Sequence, residues 1–305
     1  MAQGEIEFIR PLSAAIDRMK AALFRPFRAE VWFVVGFSAW LAWLGQHGSY
    51  GSGGKWDLDE VDGVPGPQFL LRGWLERIRD FLDHWQVILG MITLAGMILV
   101  VLVAMVWISS RAKFILLENV AKGHARFVDP WSRASAAGWS LFWWRLVYAA
   151  ILLAFFGTLV AMWWVRAAVP FLEGDPIVLG SLVWLTLLAF PLAVVCTFVG
   201  CFLEHFVVPI MARHGLSATA AWGRFLALFR ENPVPFVLYG LFLIPLWILV
   251  FVACGIVGLL TCCLGWILMA LPYIGMVVLL PVYYTHRAFG PEFMAQFGPE
   301  WDCRG

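Results

Sequence analysis

From Val234 to Thr285 the chain runs for 52 residues without a charged side chain. As one straight helix such a run would extend about 78 Å at 1.5 Å per residue. That is more than twice the ~30 Å hydrocarbon core of a bilayer. The run therefore has to fold back on itself, and Gly255, Gly258 and Gly265 bracket the expected turn of a tight helical hairpin. A second charge-free run, Ile177 to Leu203, has 27 residues and is long enough to cross alone. Neither run alternates apolar and polar residues, which argues against a transmembrane barrel.

Composition agrees with this. Of 305 residues, 62% are apolar and 13% charged, with a mean hydropathy of +0.83. Soluble chains run at about 45–50% and about 25%. The net charge of +1 gives no case for a nucleic-acid partner. The expected class is an all-α polytopic membrane bundle, with spans at 29–46, 86–110, 139–164, 177–203, 234–257 and 263–285. These make six transmembrane helices arranged as three hairpins in a single integral membrane domain.

Lysine and arginine set the expected orientation. Fifteen of them flank one side, five flank the other, and Arg145 falls inside the third span. Both termini are expected in the cytoplasm of a bacterial cell, with the chain in its inner membrane. The stretch 46–85 is expected as an extracytoplasmic loop followed by an amphipathic helix, and 286–305 as a cytoplasmic tail.

One phrase occurs twice, as Leu23-Phe24-Arg25 and as Leu228-Phe229-Arg230, each just before an apolar run. Upstream of the first, Leu12, Ile16, Met19 and Leu23 recur at helical spacing, with Arg18, Lys20 and Arg25 elsewhere on the wheel. Upstream of the second, Ser217 is an expected N-cap. There Trp222, Phe225, Leu226 and Phe229 form a stripe, with Arg224 and Arg230 facing away. Both read as interfacial helices, apolar face down and cations toward anionic phospholipid headgroups. Each such cation contributes about 1 kcal/mol.

A third copy is expected where Asp129-Pro130 supplies a cap and Trp131-Ser132-Arg133 parallels Trp222-Gly223-Arg224. The units are then about 1–110, 111–203 and 204–290, each a cytoplasmic interfacial helix followed by a hairpin. Span ends also repeat, as Ser110-Arg111-Ala112-Lys113-Phe114 and Thr285-His286-Arg287-Ala288-Phe289.

Ionisable residues within a bilayer point to function. Here the candidates are Arg145, Glu204, Arg111 and Glu118. Arg145 has three readings: a lipid-headgroup ligand, a partner of Glu204 or Glu118, or a side chain snorkelling to the interface, which is favoured. Glu204 and His205 read as a proton-linked pair or, preferably, as the water boundary of the fourth span. No acidic residue falls at mid-membrane depth, which counts against proton or sodium coupling. Pro191, Pro245, Pro272 and Pro281 are expected kinks.

Other motifs carry less. Asp57 to Gly63 fails the calcium-loop pattern, because Val61 stands where an oxygen ligand is needed. Cys254, Cys262 and Cys263 read as buried small apolar residues, with a disulfide as the alternative. The six histidines show no ligand spacing, and no nucleophile motif occurs. No metal, cofactor or enzymatic activity is expected.

The stretch from Leu280-Pro281 through His286-Arg287-Ala288-Phe289 to Phe293-Met294-Ala295-Gln296-Phe297-Gly298-Pro299-Glu300 resembles the C-terminal end of uncharacterised bacterial multipass membrane proteins. Arg111-Ala112-Lys113-Phe114 and Trp131-Ser132-Arg133 fit the same pattern. These proteins are similar to the membrane domain attached to some glycerophosphodiester phosphodiesterases. The catalytic part of those enzymes is a separate barrel of about 250 residues, and no such segment lies in this chain. The resemblance implies a shared membrane scaffold and no hydrolase activity or catalytic residues. The functional expectation is a non-enzymatic scaffold or accessory protein. A transporter or lipid-handling permease with a path between the hairpins is the alternative.

Overall fold

A computed structural model describes residues 6–25, 27–44, 85–123, 127–169, 179–261 and 264–303. The expected external loop up to residue 84, the acidic stretch Asp57 to Gly63 and the pair Cys262–Cys263 lie outside these. Among the described residues all repeating structure is helical. The principal helices are α1 (Ile9–Leu23), α2 (Ala29–Leu44), α3 (Trp85–Lys122), α4 (Val128–Arg133), α5 (Ser135–Trp163), α6 (Leu179–Phe202), α7 (Val208–His214), α8 (Ala218–Glu231), α9 (Pro233–Leu260), α10 (Leu264–Ala270), α11 (Pro272–Val278) and α12 (Leu280–Met294).

Four stretches are long and apolar enough to cross a membrane: Val87–Lys122, Ser135–Arg166, Thr186–His214 and Pro233–Leu260. Along α3 the apolar side chains Ile88, Leu89, Ile92, Leu99 and Val101 are all exposed. A water-soluble protein rarely presents so large an apolar surface. The helix α2 is also apolar but has only 16 residues, about 24 Å at the usual rise.

The expected sixth span, 263–285, is not one helix. It is broken into α10 and α11 of seven residues each and α12 of fifteen. Pro272 and Pro281 each begin a helix. A ring without an N–H is tolerated there but not in a helix interior. The preceding helix α9 ends at Leu260, with Thr261 at its C-cap.

Two turns of π-helix interrupt the long stretches, at Trp164–Ala168 and at Leu203–Val207. The second has a clear cause. Pro209 cannot donate to the carbonyl four residues back, which is that of His205, and its ring crowds that oxygen. The backbone widens by one residue at the spot where Glu204 and His205 project. In the sequence Pro170 stands in the same relation to Arg166.

Residues 1–46, 105–145 and 197–305 form one compact unit, and 47–104 with 146–196 form a second. The core of the first unit is aromatic. Phe206, Phe225, Phe236, Tyr239, Phe289 and Phe293 are completely or almost completely buried. Phe206 stacks on Phe225 at 5.3 Å, and Tyr239 lies 4.7 Å from Phe293.

The amphipathic faces of α1 and α8 are partly covered by protein. α1 packs along α12, and its Pro11, Ala15 and Leu23 are buried. Arg18 pairs with Glu292 at 2.7 Å, and Gln296 exchanges hydrogen bonds with the Glu7 main chain at 3.0 and 2.9 Å. In α8, Ala218, Ala221, Phe225 and Leu228 are buried. A helical wheel reports an apolar face without reporting what covers it, and here part of the cover is the rest of the chain. Ser217 does cap α8, accepting from the Ala220 N–H at 3.4 Å, and Ser140 accepts from Ala218 N–H at 2.9 Å. The short α4 starts earlier than expected, with Phe127 at the cap position and Asp129 inside the first turn.

Candidate functional site

Three segments of the first unit converge on a charged node. Lys113 comes from α3, Glu204 from the π-turn and Arg287 from α12. In sequence, 91 residues separate Lys113 from Glu204 and 83 separate Glu204 from Arg287. Lys113 is 1% exposed and Arg287 7%. The Lys113 ammonium pairs with Oε1 of Glu204, and Arg287 Nη1 donates to Oε2 at 2.8 Å. Nη1 also donates to the Glu204 carbonyl at 2.8 Å, and Nη2 to the Lys113 carbonyl at 3.2 Å. Taking charges out of water costs several kcal/mol per ion unless the geometry compensates. Here one carboxylate serves two cations, and the guanidinium fork also binds two main-chain oxygens.

Beside the node lies a second polar chain. His205 Nδ1 is 2.6 Å from the Tyr239 hydroxyl, and His205 Nε2 is 3.2 Å from His286 Nε2. With Tyr239 donating to Nδ1, the His205 proton sits on Nε2 and is donated to His286. Trp247 lies edge-on to His286 at 5.1 Å. Gly290 is what lets α12 come this close. A Cβ there would overlap the His205 carbonyl group and lie 2.9 Å from its Cα.

The other expected site residues are dispersed around this centre. Arg145 donates from Nη1 to Ser109 Oγ at 3.1 Å and Ser110 Oγ at 3.2 Å. Ser109 in turn donates to the Ala42 carbonyl at 2.6 Å. Arg111 lies over the rings of Trp107 at 4.6 Å and Trp131 at 5.5 Å, two cation–π contacts. Glu118 pairs with Lys122 at 2.7 Å and Arg133 at 3.1 Å. Arg224 lies over Trp301 at 5.3 Å, while Lys20 pairs with Asp17 at 3.5 Å. Arg25 and Arg230 are exposed.

His205 is 3% exposed, and Glu204 is held in two ion pairs. Sequence reasoning took Lys113 and Arg287 for leaflet charges and passed over Tyr239 and His286. The available signal was the repeated span end, Arg111-Ala112-Lys113-Phe114 against His286-Arg287-Ala288-Phe289, which puts a cation one turn beyond two different spans.

The node is a lock that joins three chain segments. No group of three or more His, Cys, Asp or Glu among the described residues gathers to hold a metal. In the second unit a shallow groove is lined by Phe156, Thr186, Ala189, Phe190 and Ala193, none of them titratable.

No curated protein and no solved structure matches this chain. A family model described as a family of unknown function, DUF7544, matches residues 7–295, a stretch that includes every member of the node and of the histidine chain. The chain belongs to DUF7544.

Proposed function

We propose that the chain is a non-enzymatic integral membrane protein of the scaffold or accessory type. It threads a bacterial inner membrane six times as three hairpins, with both termini cytoplasmic. The four long apolar helices support four of the crossings, and α2 and the broken stretch 264–285 would supply the others. The resemblance of its C-terminal stretch to uncharacterised bacterial multipass membrane proteins, themselves similar to the membrane domain of some glycerophosphodiester phosphodiesterases, supports the same reading.

The observation that carries it is the Lys113–Glu204–Arg287 lock over a closely packed aromatic core. A protein that must open a path has reason to keep such a junction loose, whereas a platform has reason to fix it. A second reading, a transporter or lipid-handling permease, is favoured by one feature, the proton-carrying chain Tyr239–His205–His286.

Two measurements on one preparation test this. Extracted from native membranes in mild detergent, the protein should run as a complex with a stoichiometric partner. Reconstituted into liposomes holding a pH-sensitive dye, it should pass no more protons than lipid alone. A lone protein whose proton flux disappears in His205→Ala would replace the scaffold reading with the transporter.

A further inference from the structure

The cations expected to grip the leaflet are not equally available. Arg18 and Lys20 are engaged by Glu292 and Asp17. The apolar face of α1 is spent on α12. What remains is the turn between α1 and α2. Phe24 and Phe27 face each other across it as an isolated antiparallel bridge. Both rings lean on Trp32, at 5.4 and 5.7 Å, and the Trp32 Nε1–H donates to the Leu23 carbonyl at 3.0 Å. The turn is thus braced from beneath.

Even so, Phe24 is 47% exposed and Phe27 64%. Arg25 and Arg28 are exposed beside them, and neither has an ion pair among the described residues. The related phrase at Leu228 is different. Phe229 is half-buried, 5.7 Å from Phe202 and 6.1 Å from Phe236.

We infer that Phe24, Arg25, Phe27 and Arg28 form an anchor for anionic phospholipid, with two phenyl rings entering the acyl boundary and two guanidinium groups meeting phosphate. Charge complementarity and position both favour this occupant. The apolar helix α2 begins at Ala29, immediately after the turn. Aromatic rings belong at that depth, and guanidinium binds phosphate as a fork. The inference rests on the membrane reading above and deepens it, by moving the grip from the helix faces to one turn.

The test uses the full-length, cysteine-free protein in lipid nanodiscs. A spin label at Ala29→Cys reads depth from its accessibility to oxygen and to a water-soluble nickel complex. A second label at Leu249→Cys on α9 reports whether the helix is in lipid at all. In discs containing phosphatidylglycerol, the Ala29 label should sit at headgroup depth. Arg25→Gln with Arg28→Gln should lower the ratio of inserted to lifted turn by roughly 30-fold, from two cations at an anionic surface. In purely zwitterionic discs the same pair should change it little. Phe24→Ser with Phe27→Ser should lift the label in both lipids. All four side chains are exposed, so the exchanges leave the core intact.

A deep Leu249 label with a fully aqueous Ala29 label would overturn the anchor and leave the membrane reading standing. Arginine exchanges that act equally in both lipids would overturn the anionic part. An aqueous Leu249 label would overturn both readings.

Discussion

Arg287 holds Glu204 twice, by its carboxylate and by its main-chain carbonyl, both at 2.8 Å. The side-chain contact neutralises a charge, while the main-chain contact satisfies a carbonyl in a stretch of helix widened by Pro209. One guanidinium thereby fixes both the electrostatics and the backbone shape of the π-turn.

Removing the shared carboxylate should therefore be costly. Glu204→Gln leaves Lys113 and Arg287 facing each other in a buried place. Breaking a buried pair costs about 3–5 kcal/mol. In a chain of this size that corresponds to a fall in Tm of roughly 10 °C. Thermal unfolding in detergent, followed by intrinsic fluorescence, measures it. A variant melting within a degree of the parent would show that the node carries no stability.

Gly290→Ala places a methyl group against the His205 carbonyl, which is backbone and cannot swing aside. Overpacking of this kind costs about 1–3 kcal/mol or more. The expected outcome is a lowered Tm together with greater protease sensitivity in the α12 region. Gly223, where an added Cβ meets nothing within 4 Å, provides the control; Gly223→Ala should melt no lower than the parent.

The three proton-carrying groups should behave as a unit. Tyr239→Phe strips the partner from His205 Nδ1, a buried loss of about 1–3 kcal/mol. Combined with His286→Gln in a double-mutant cycle, it should show a coupling energy of about 0.5–3 kcal/mol. Strict additivity of the two melting shifts would mean that the histidine contact is incidental.

Cys303 offers a pH test away from the membrane-spanning segments. Burial pushes its thiol up to about 11, only partly offset by the positive charges of Arg213 and Arg224. The folded thiol keeps its proton where the unfolded one, near 9, has lost it. Its contribution to stability is intact below about pH 9 and disappears as the pH climbs toward 11. In a variant retaining only this cysteine, iodoacetamide should react slowly at pH 8 and rapidly after unfolding in SDS. Equal rates would place the thiol in water.

Orientation is checked with reporter fusions. Those at Gly53 and Gly174 should report the outside, and those at Lys122, His214 and the C-terminus the inside. A cytoplasmic signal at Gly53 with the others unchanged would break the six-span arrangement.

The long helices were legible in the sequence because an unbroken apolar run has few solutions in water or lipid. Expected spans at 86–110, 139–164 and 234–257 sit inside α3, α5–Trp164 and α9. The break within 263–285 was visible only as Pro272 and Pro281, which suit a kink and a helix start equally well. The node was illegible for a different reason. Lys113 and Arg287 look like any basic residue that ends a span, and their common partner lies more than 80 residues from either. Periodicity cannot supply that pairing; it depends on which span ends meet. The wheel could not say what covers the faces of α1 and α8, since protein and lipid both welcome the same apolar stripe.

The clasp between α1 and α12 sets an order of events. During synthesis Ala15 and Leu23 leave the ribosome long before Glu292 and Gln296 exist to cover and tether them. Helix α1 must wait, its oily side bare, until α12 has been made. Messages cut short ahead of α12 should yield proteins that the cell's quality-control proteases find by α1 rather than by their truncated end.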